Sequence, residues 1–362
     1  MGYRDGVKTQ LSDVMEHLTP YTPGEQPKDG AKVVKLNTNE NPYPPSPRVL
    51  EAIKAAANAS LRLYPHPDAG PLRAAAAQHF GVTEEQVFWG NGSDEVLAFA
   101  FLALFQKSQP LLFPDITYSF YPVYAKLFGI PVQQVPLAAD FSIDLSQYAQ
   151  DAGGVVFANP NAPTSLSAPA EAIEAFASQR PATPVVVDEA YMGFGAASAL
   201  PLVEKYPNVL VVRTLSKSHS LAGLRVGMAL GHPRLIDALQ RVKHSFNSYA
   251  VDRLAIAGAM AALADSEYYD HISQQIVATR DKTTQALRAL GFIVLDSSAN
   301  FVFAKPAGIS AKELFEALRA RGILVRYFDK PRIDEYLRIT MGTAEEMQGF
   351  VDAVGAIVSS GG

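Results

Sequence analysis

Short apolar runs alternate with helical segments between residues 80 and 245, and this alternation constrains the fold more than any other feature of the chain. The apolar runs lie near residues 87, 111, 154, 184, 209 and 226. Strands that alternate with helices pair in the same direction and need helices on both faces of their sheet. The pattern therefore predicts an α/β domain built on a mainly parallel sheet.

The segments outside this alternation predict three further parts of the chain. Residues 1–30, which end in a stretch rich in proline and glycine, are expected to form an irregular N-terminal arm before a large domain at 31–250. Residues 251–285 are expected to form connecting helices. Residues 286–362 have the strand-helix-strand pattern of a small α+β domain.

The composition of the 362 residues excludes several classes of partner. A formal net charge of -5, from 31 basic and 36 acidic residues without a basic block, makes nucleic acid and membrane unexpected partners. Cysteine is absent, which excludes disulfides and thiolate chemistry, and the seven histidines lack the spacing of a metal site. The N-terminus lacks the apolar stretch of a secretory signal, and no apolar run reaches the roughly 18 residues of a membrane span, so a cytoplasmic protein is expected.

The turn after the apolar run at 209–213 has the most reactive pattern of side chains. Lys217 lies between hydroxyl residues, with Thr214, Ser216 and Arg225 nearby in sequence. Chemistry in α/β proteins lies at the carboxyl ends of strands, and a lysine there can form a Schiff base with an aldehyde. Hydroxyls and a guanidinium can bind a phosphate dianion. The turn therefore suggests pyridoxal 5'-phosphate (PLP), although an ordinary turn with a surface lysine and arginine also fits.

Two other predicted strands end in polar residues that fit the same cofactor. In GNGSDE (90–95), Gly92 permits a tight turn and Ser93 is expected to cap a helix, whose first amides either hold an anion or are simply capped. This stretch lacks the third glycine of a dinucleotide-binding fingerprint. Asp188 follows three valines, and a buried carboxylate needs a cation or strong donors. A protonated pyridine nitrogen meets that need.

Arg326 and Arg338 lie within strand-like segments near the C-terminus. An arginine on a strand beside a cleft binds a carboxylate or phosphate through two hydrogen bonds, whereas one at a sheet edge forms an ordinary salt bridge. The residues alone leave both interpretations open.

A series of short motifs matches one family in order along nearly the whole chain. They are TPYTPG, LNTNENPYPPSP, YPHPDAGPLR, GNGSDE, PDITYSFY, NPNAPT, VDEAY, RTLSKSHSLAGLR, SANFVF, ILVRYF and LRIT. The sequence resembles the fold type I PLP-dependent aminotransferases, and most closely the histidinol-phosphate aminotransferases. The resemblance implies a large domain with a mainly parallel seven-stranded sheet, a smaller α+β C-terminal domain, and PLP as the cofactor.

The resemblance also implies the roles of the cofactor-binding residues. Lys217 is similar to the lysine that forms the Schiff base with PLP and then moves a proton to or from the substrate Cα. Asp188 resembles the partner of the pyridinium nitrogen, Tyr191 the contact to the phenolate oxygen, and Tyr118 the aromatic residue on the ring face. The expected phosphate cradle consists of Gly92, Ser93, Asp94, Thr214, Ser216 and Arg225.

Further contacts follow from the same resemblance. Tyr64 resembles a tyrosine that reaches the phosphate in the neighbouring subunit, which implies a homodimer. The family usually has an asparagine at the position of Ala162, and Asn161 is expected to replace it at the phenolate oxygen. In HSFNSYAVD (244–252), Asn247 preserves part of the family's Pro-Tyr-Asn pattern and is expected to contact the substrate.

Two anion contacts define the expected substrates. Arg338 is similar to the arginine that binds the α-carboxylate, and Arg326 with Tyr21 resembles the contact to the phosphate of histidinol phosphate. The implied reaction transfers the amino group of L-histidinol phosphate to 2-oxoglutarate in histidine biosynthesis, by a ping-pong cycle. An aromatic or broad-specificity aminotransferase and a threonine-phosphate decarboxylase are the alternatives.

Overall fold

The computed structural model describes residues 11–27, 33–148 and 151–360. The strands are β1 (Val34–Lys35), β2 (Val87–Gly90), β3 (Leu111–Pro114), β4 (Val132–Val135), β5 (Gly154–Ala158), β6 (Val185–Asp188), β7 (Val209–Thr214), β8 (Gly227–Gly231), β9 (Ile293–Val294), β10 (Phe301–Lys305), β11 (Ile323–Leu324), β12 (Arg326–Tyr327) and β13 (Leu337–Thr340). The predicted arm lies partly outside the described residues.

The helices separate most of these strands. They are α1 (Asp13–His17), α2 (Pro47–Ala56), α3 (Gly70–Phe80), α4 (Gly92–Leu104), α5 (Tyr121–Leu127), α6 (Ala170–Ser178), α7 (Leu202–Lys205), α8 (Pro233–Phe246), α9 (Arg253–Leu263), α10 (Ser266–Ala289), α11 (Ala311–Ala320) and α12 (Ala344–Ser360). None of the helices in the described segments has the length and apolar character needed to cross a membrane.

A seven-stranded sheet with the order β2-β8-β7-β6-β5-β3-β4 forms the centre of the larger part of the molecule. Strands β7, β6, β5, β3 and β4 are parallel to one another, whereas β8 is antiparallel to both β2 and β7. The predicted mainly parallel sheet of seven strands is therefore confirmed.

Alternate side chains of the central strands face two different apolar cores. Val187 and Val211 pack in a core with residues of α2, α3 and α9. Val186 and Leu210 pack in a second core with residues of α4, α5 and α8. Successive strand residues point to opposite faces, so strands buried on both faces must be apolar throughout, as the valine run of β6 is.

The C-terminal part contains a smaller sheet with the order β12-β13-β10-β9, in which all pairs are antiparallel. Helices α10, α11 and α12 contribute to its apolar core. Strand β1 pairs in parallel with β11, so the segment that leads from β1 towards α2 is held by the C-terminal part. The domain bounds given above stay a prediction.

The start of α4 differs from the sequence-based expectation. The helix begins at Gly92 and its cap is Asn91, so the cap expected at Ser93 is wrong by two positions. Gly92 has a φ of 84°, which permits the turn into the helix two residues earlier than a cap at Ser93 requires. Ser93 and Asp94 therefore belong to the first turn of the helix.

Candidate active site

The carboxyl ends of the parallel strands open into a cavity of about 910 Å³. Ala158, Asp188 and Thr214, which end β5, β6 and β7, line one side of it. Arg326 and Arg338 of the smaller sheet line it as well. The cavity thus receives side chains from both sheets, at the position where open α/β sheets bind ligands.

Asp188 lines the cavity and is 2% exposed. Its Oδ2 accepts a hydrogen bond of 2.7 Å from the Tyr121 hydroxyl, and its Oδ1 accepts one of 3.2 Å from the Ala190 amide. Burial raises the pKa of this carboxyl to about 7, against the lowering effect of the two hydrogen bonds. A protonated ring nitrogen beside Asp188 would supply the missing positive charge.

Lys217 follows β7 and extends into the same cavity. Its Nζ donates a 3.0 Å hydrogen bond to the Thr38 carbonyl oxygen. Burial, and then the positive charge of Arg338, lower the pKa of the amine to about 8, although Glu40 acts in the opposite direction. A larger fraction of this amine is therefore neutral and nucleophilic near physiological pH than for an ordinary lysine.

The expected phosphate cradle is assembled where the first turn of α4 meets the segment between β7 and β8. Arg225 donates to Asp94 Oδ2 over 3.1 Å and to the Ser216 hydroxyl over 3.4 Å. The Thr214 hydroxyl donates to Ser216 Oγ over 2.9 Å. A Cβ on Gly92 would lie 2.6 Å from Arg225 Nη2, so only glycine lets the guanidinium approach the helix start this closely. Helix-start amides and a guanidinium favour a phosphate group.

Two tyrosines of the expected site have defined hydrogen bonds. The Tyr118 hydroxyl donates to Asp94 Oδ1 over 2.7 Å, and the Tyr191 hydroxyl accepts from Asn39 Nδ2 over 2.9 Å. Burial raises the pKa of Tyr191, so its hydroxyl keeps its proton and can donate to an oxyanion in the cavity. Asn39 was not predicted from the sequence, and its only sequence signal was its place in the asparagine-rich loop NTNENP.

Arg326 and Arg338 extend into the cavity from strands β12 and β13. Within the described segments, neither guanidinium has a carboxylate partner. Arg338 Nη2 donates to the Asn37 carbonyl oxygen over 2.8 Å, while its buried Nε has no hydrogen-bond partner. The ring of Tyr21 stacks on Phe120 at 4.3 Å between centroids and lines the same cavity. Unpaired guanidiniums beside a cavity are suited to binding anions.

Four of the predicted site residues do not line this cavity, and one of them, Gly92, lies directly against Arg225, which does. Asn161 is buried, and its amide group bonds with Thr117, Thr164 and the Ile116 carbonyl, so Ala162 faces the cavity instead. Asn247 caps the end of α8, and its Oδ1 accepts from the Tyr249 amide. The roles given to Asn161 and Asn247 stay predictions without support from this geometry.

Tyr64 is the fourth predicted site residue that does not line the cavity. It is 76% exposed, and its ring stacks on Tyr249 at 4.5 Å between centroids. Its backbone carbonyl accepts from Arg253 Nη2 over 2.7 Å. An exposed aromatic ring on a fixed backbone is available to a second molecule, but this chain by itself does not bring Tyr64 to the other site residues.

The arrangement fits PLP in three respects. A lysine with a lowered pKa can attach to an aldehyde, a buried carboxylate can hold a ring-nitrogen proton, and the cradle around Arg225 can take a phosphate. The orphaned Nε of Arg338 is an additional donor available to a ligand. Among the residues that the structure describes, no group of three or more histidine, aspartate or glutamate side chains could hold a metal ion.

Comparison with known proteins agrees with the class of enzyme that this fold and site define. The chain belongs to the family of class I and II aminotransferases, whose family model matches residues 31–354. It is therefore an aminotransferase.

Individual relatives are more specific. Histidinol-phosphate aminotransferase 1 of Bordetella parapertussis is 55% identical over 96% of this chain and 99% of its own length. Histidinol-phosphate aminotransferase of Gluconacetobacter diazotrophicus is 56% identical over 96% of this chain and 98% of its own length. The solved structure of histidinol-phosphate aminotransferase from Sinorhizobium meliloti, in complex with pyridoxal-5'-phosphate, has a TM-score of 0.88 and 27% identity, and the match covers 97% of this chain and 98% of that one.

Proposed function

We propose that this chain is the histidine-biosynthesis enzyme that transfers the amino group of L-histidinol phosphate to 2-oxoglutarate, with PLP as cofactor. The observation that carries the proposal concerns two arginines, Arg326 and Arg338. Neither has a carboxylate partner among the described residues, and both line the cavity that also contains Lys217. A single cavity that binds a carboxylate from one substrate and a phosphate from the other needs two such cations. Relatives that are 55% and 56% identical bear the same enzyme name.

The protein's side chains have separate tasks in this reaction. PLP supplies the electron sink for the bond that breaks at the substrate Cα. Lys217 attaches the cofactor and, once its amine is free, moves the proton at the substrate Cα, a task suited to a pKa of about 8. Asp188 holds the proton on the ring nitrogen. Tyr191, oriented by Asn39, donates to the phenolate oxygen.

The cofactor phosphate and the substrate anions have different binding groups in this proposal. The helix-start amides of Gly92, Ser93 and Asp94, with Ser216 and Arg225, bind the cofactor phosphate. Tyr118 covers the ring face. Arg338 binds the α-carboxylate of glutamate, and Arg326 with Tyr21 binds the phosphate of the other substrate.

The proposal includes the quaternary state and the location of the enzyme. We infer a cytoplasmic homodimer in which Tyr64 of one subunit completes the cofactor site of the other. The support is the exposure of Tyr64 and of Tyr249, on which its ring stacks, together with the exposed Phe246 three residues before Tyr249; Tyr249 and Phe246 are 42% and 76% exposed. A cluster of exposed aromatic side chains is typical of a surface that contacts another protein.

A sequence of absorption spectra tests the proposed reaction. The visible band of PLP-loaded protein is recorded, L-glutamate is added, and imidazole acetol phosphate follows. We expect glutamate to bleach the band and the phosphorylated ketone to restore it. Restoration only by aromatic keto acids would show an aromatic aminotransferase, and release of carbon dioxide from threonine phosphate without a keto acid would show a decarboxylase.

A further inference from the structure

The two anion-binding arginines lie directly opposite each other in the smaller sheet. Arg326 of β12 and Arg338 of β13 are register partners, so both side chains are on the same face. Like charges directly opposite each other on neighbouring strands destabilise a sheet. The positive charge of Arg326 also contributes to lowering the pKa of Arg338, after burial. Something in the structure must therefore offset the repulsion between the two guanidiniums.

Phe328 has the position that this task requires. It follows Arg326 by two residues and lines the same cavity. Its ring centroid lies 5.5 Å from Cζ of Arg326 and 5.6 Å from Cζ of Arg338. Both distances fall within the range of about 6 Å in which an aromatic face attracts a cation. One ring thus contacts both arginines.

The two arginines depend on this ring to different degrees. Arg338 is also fixed by its hydrogen bond to Asn37 and by the ring of Phe301, 5.5 Å from its Cζ. For Arg326, the structure gives the Phe328 ring contact and no hydrogen bond or salt bridge from any described residue. Loss of the Phe328 ring should therefore release Arg326 more than Arg338.

We propose that Phe328 is a positioning residue that sets the dual specificity of the cavity. Its ring attracts both guanidiniums and fixes each in its place against their mutual repulsion, so that Arg338 binds a carboxylate while Arg326 remains available for a phosphate. Without the ring, Arg326 loses the contact that fixes it and Arg338 keeps its others, so the phosphate-binding position is disturbed more than the carboxylate-binding position. The inference rests on the proposed function, because it concerns how that enzyme distinguishes its two substrates.

The variant Phe328→Leu tests the inference, because leucine keeps an apolar side chain and removes the aromatic face. We expect KM to rise about threefold to tenfold for L-glutamate and more for L-histidinol phosphate, with kcat nearly unchanged. Phe328→Tyr and Phe328→Trp keep an aromatic face and should restore both KM values to within about twofold. Phe315→Leu is the matched control, since Phe315 packs on Tyr327 and does not line the cavity.

Several outcomes would overturn the inference. They are an unchanged KM for either substrate in Phe328→Leu, a failure of the tyrosine and tryptophan variants to restore KM, and an equal effect of Phe315→Leu. If the unsubstituted enzyme does not accept histidinol phosphate, the proposed function fails instead. In that case the KM for glutamate and competitive inhibition by inorganic phosphate still measure the effect of Phe328 on each arginine.

Discussion

At the scale of single residues, Asp188 and Lys217 both depart from their ordinary ionisation in the same cavity. Burial raises the pKa of Asp188 to about 7 and lowers the pKa of Lys217 to about 8. Each group is thereby suited to transferring or holding a proton near neutral pH. Without the cofactor, burial of each group lowers the stability of the folded protein. Such groups are retained for function at the expense of stability.

The first prediction concerns the PLP-free protein with Asp188→Asn. The pKa of about 7 in the folded protein lies above the ordinary aspartate value of 3.8, so between these values the native state binds more protons than the unfolded state. Stability from this group therefore falls as pH rises through that window, and the full penalty is present above pH 7. We expect the asparagine variant to be more stable than the parent by about 2 to 4 kcal/mol above this window.

Denaturant unfolding of both proteins across the window checks this expectation. The difference should shrink as pH falls from 7 towards 3.8. With PLP bound, the same variant should lose about a hundredfold or more in activity, since a neutral amide does not hold the ring-nitrogen proton. A parent protein that is more stable than the variant at every pH would contradict the prediction.

The second prediction concerns Arg326→Ala and the choice of substrate. Loss of a charge-assisted contact to a phosphate should remove about 2 to 5 kcal/mol of transition-state stabilisation for histidinol phosphate, which is measured as a lower kcat/KM. Histidinol without the phosphate should be affected little. Steady-state kinetics on the two substrates make the measurement, and Arg319→Ala, at an exposed arginine paired with Glu25, is the control. An equal loss on both substrates would assign Arg326 another role.

The sequence predicted the main residues of the site but not the partners to which they are hydrogen-bonded. Lys217, Asp188 and Arg225 were predicted because each stands at a recognisable strand end or turn, and the structure places all three around one cavity. Asn39 and Tyr121 bond to the predicted Tyr191 and Asp188 from positions far away in the chain. Only the folded arrangement brings such partners together, so no local pattern could identify them.

At the scale of elements, the alternating pattern predicted the kind of sheet but not the direction of every strand. The apolar run of β8 has the same appearance in the sequence as the runs of β5 and β6, and all are buried throughout. Direction depends on whether the preceding connection crosses the sheet or turns back, which apolar periodicity does not encode. The predicted start of α4 was wrong for a similar reason, because the turn into the helix depends on the positive φ of Gly92, which the apolar pattern does not encode.

The third prediction belongs to the start of α4. Gly92→Ala places a methyl group against Arg225, so we expect PLP to bind about tenfold more weakly or worse and stability to fall by about 1 to 3 kcal/mol. Gly129→Ala is a matched control, since Gly129 also has a positive φ but no neighbouring atom within 4 Å. Titration of PLP-free protein with the cofactor should show weaker binding only for the first variant. Equal affinities would mean that Arg225 moves without consequence for the phosphate.

At the scale of the whole molecule, the fourth prediction tests the shared site. We expect Lys217→Ala and Tyr64→Ala proteins to be impaired separately and to regain activity when their subunits are mixed. One site of the mixed dimer then has Lys217 from one subunit and Tyr64 from the other. If Tyr64 served its own subunit, no site would contain both residues, so an unchanged activity after subunit exchange would contradict the homodimer proposal. Sedimentation of each variant checks that both still associate.

The reversed direction of β8 has a consequence for how the site is inherited and assembled. Because β8 runs antiparallel to β7, the end of β7 and the start of β8 lie at the same end of the sheet, and no crossover helix is needed to connect them. The amine of Lys217 and the guanidinium of Arg225 therefore belong to one local connection at 215–226. Their spacing is fixed as soon as two sequence neighbours pair, early in folding, and a single exchanged segment carries both the covalent and the ionic hold on the cofactor.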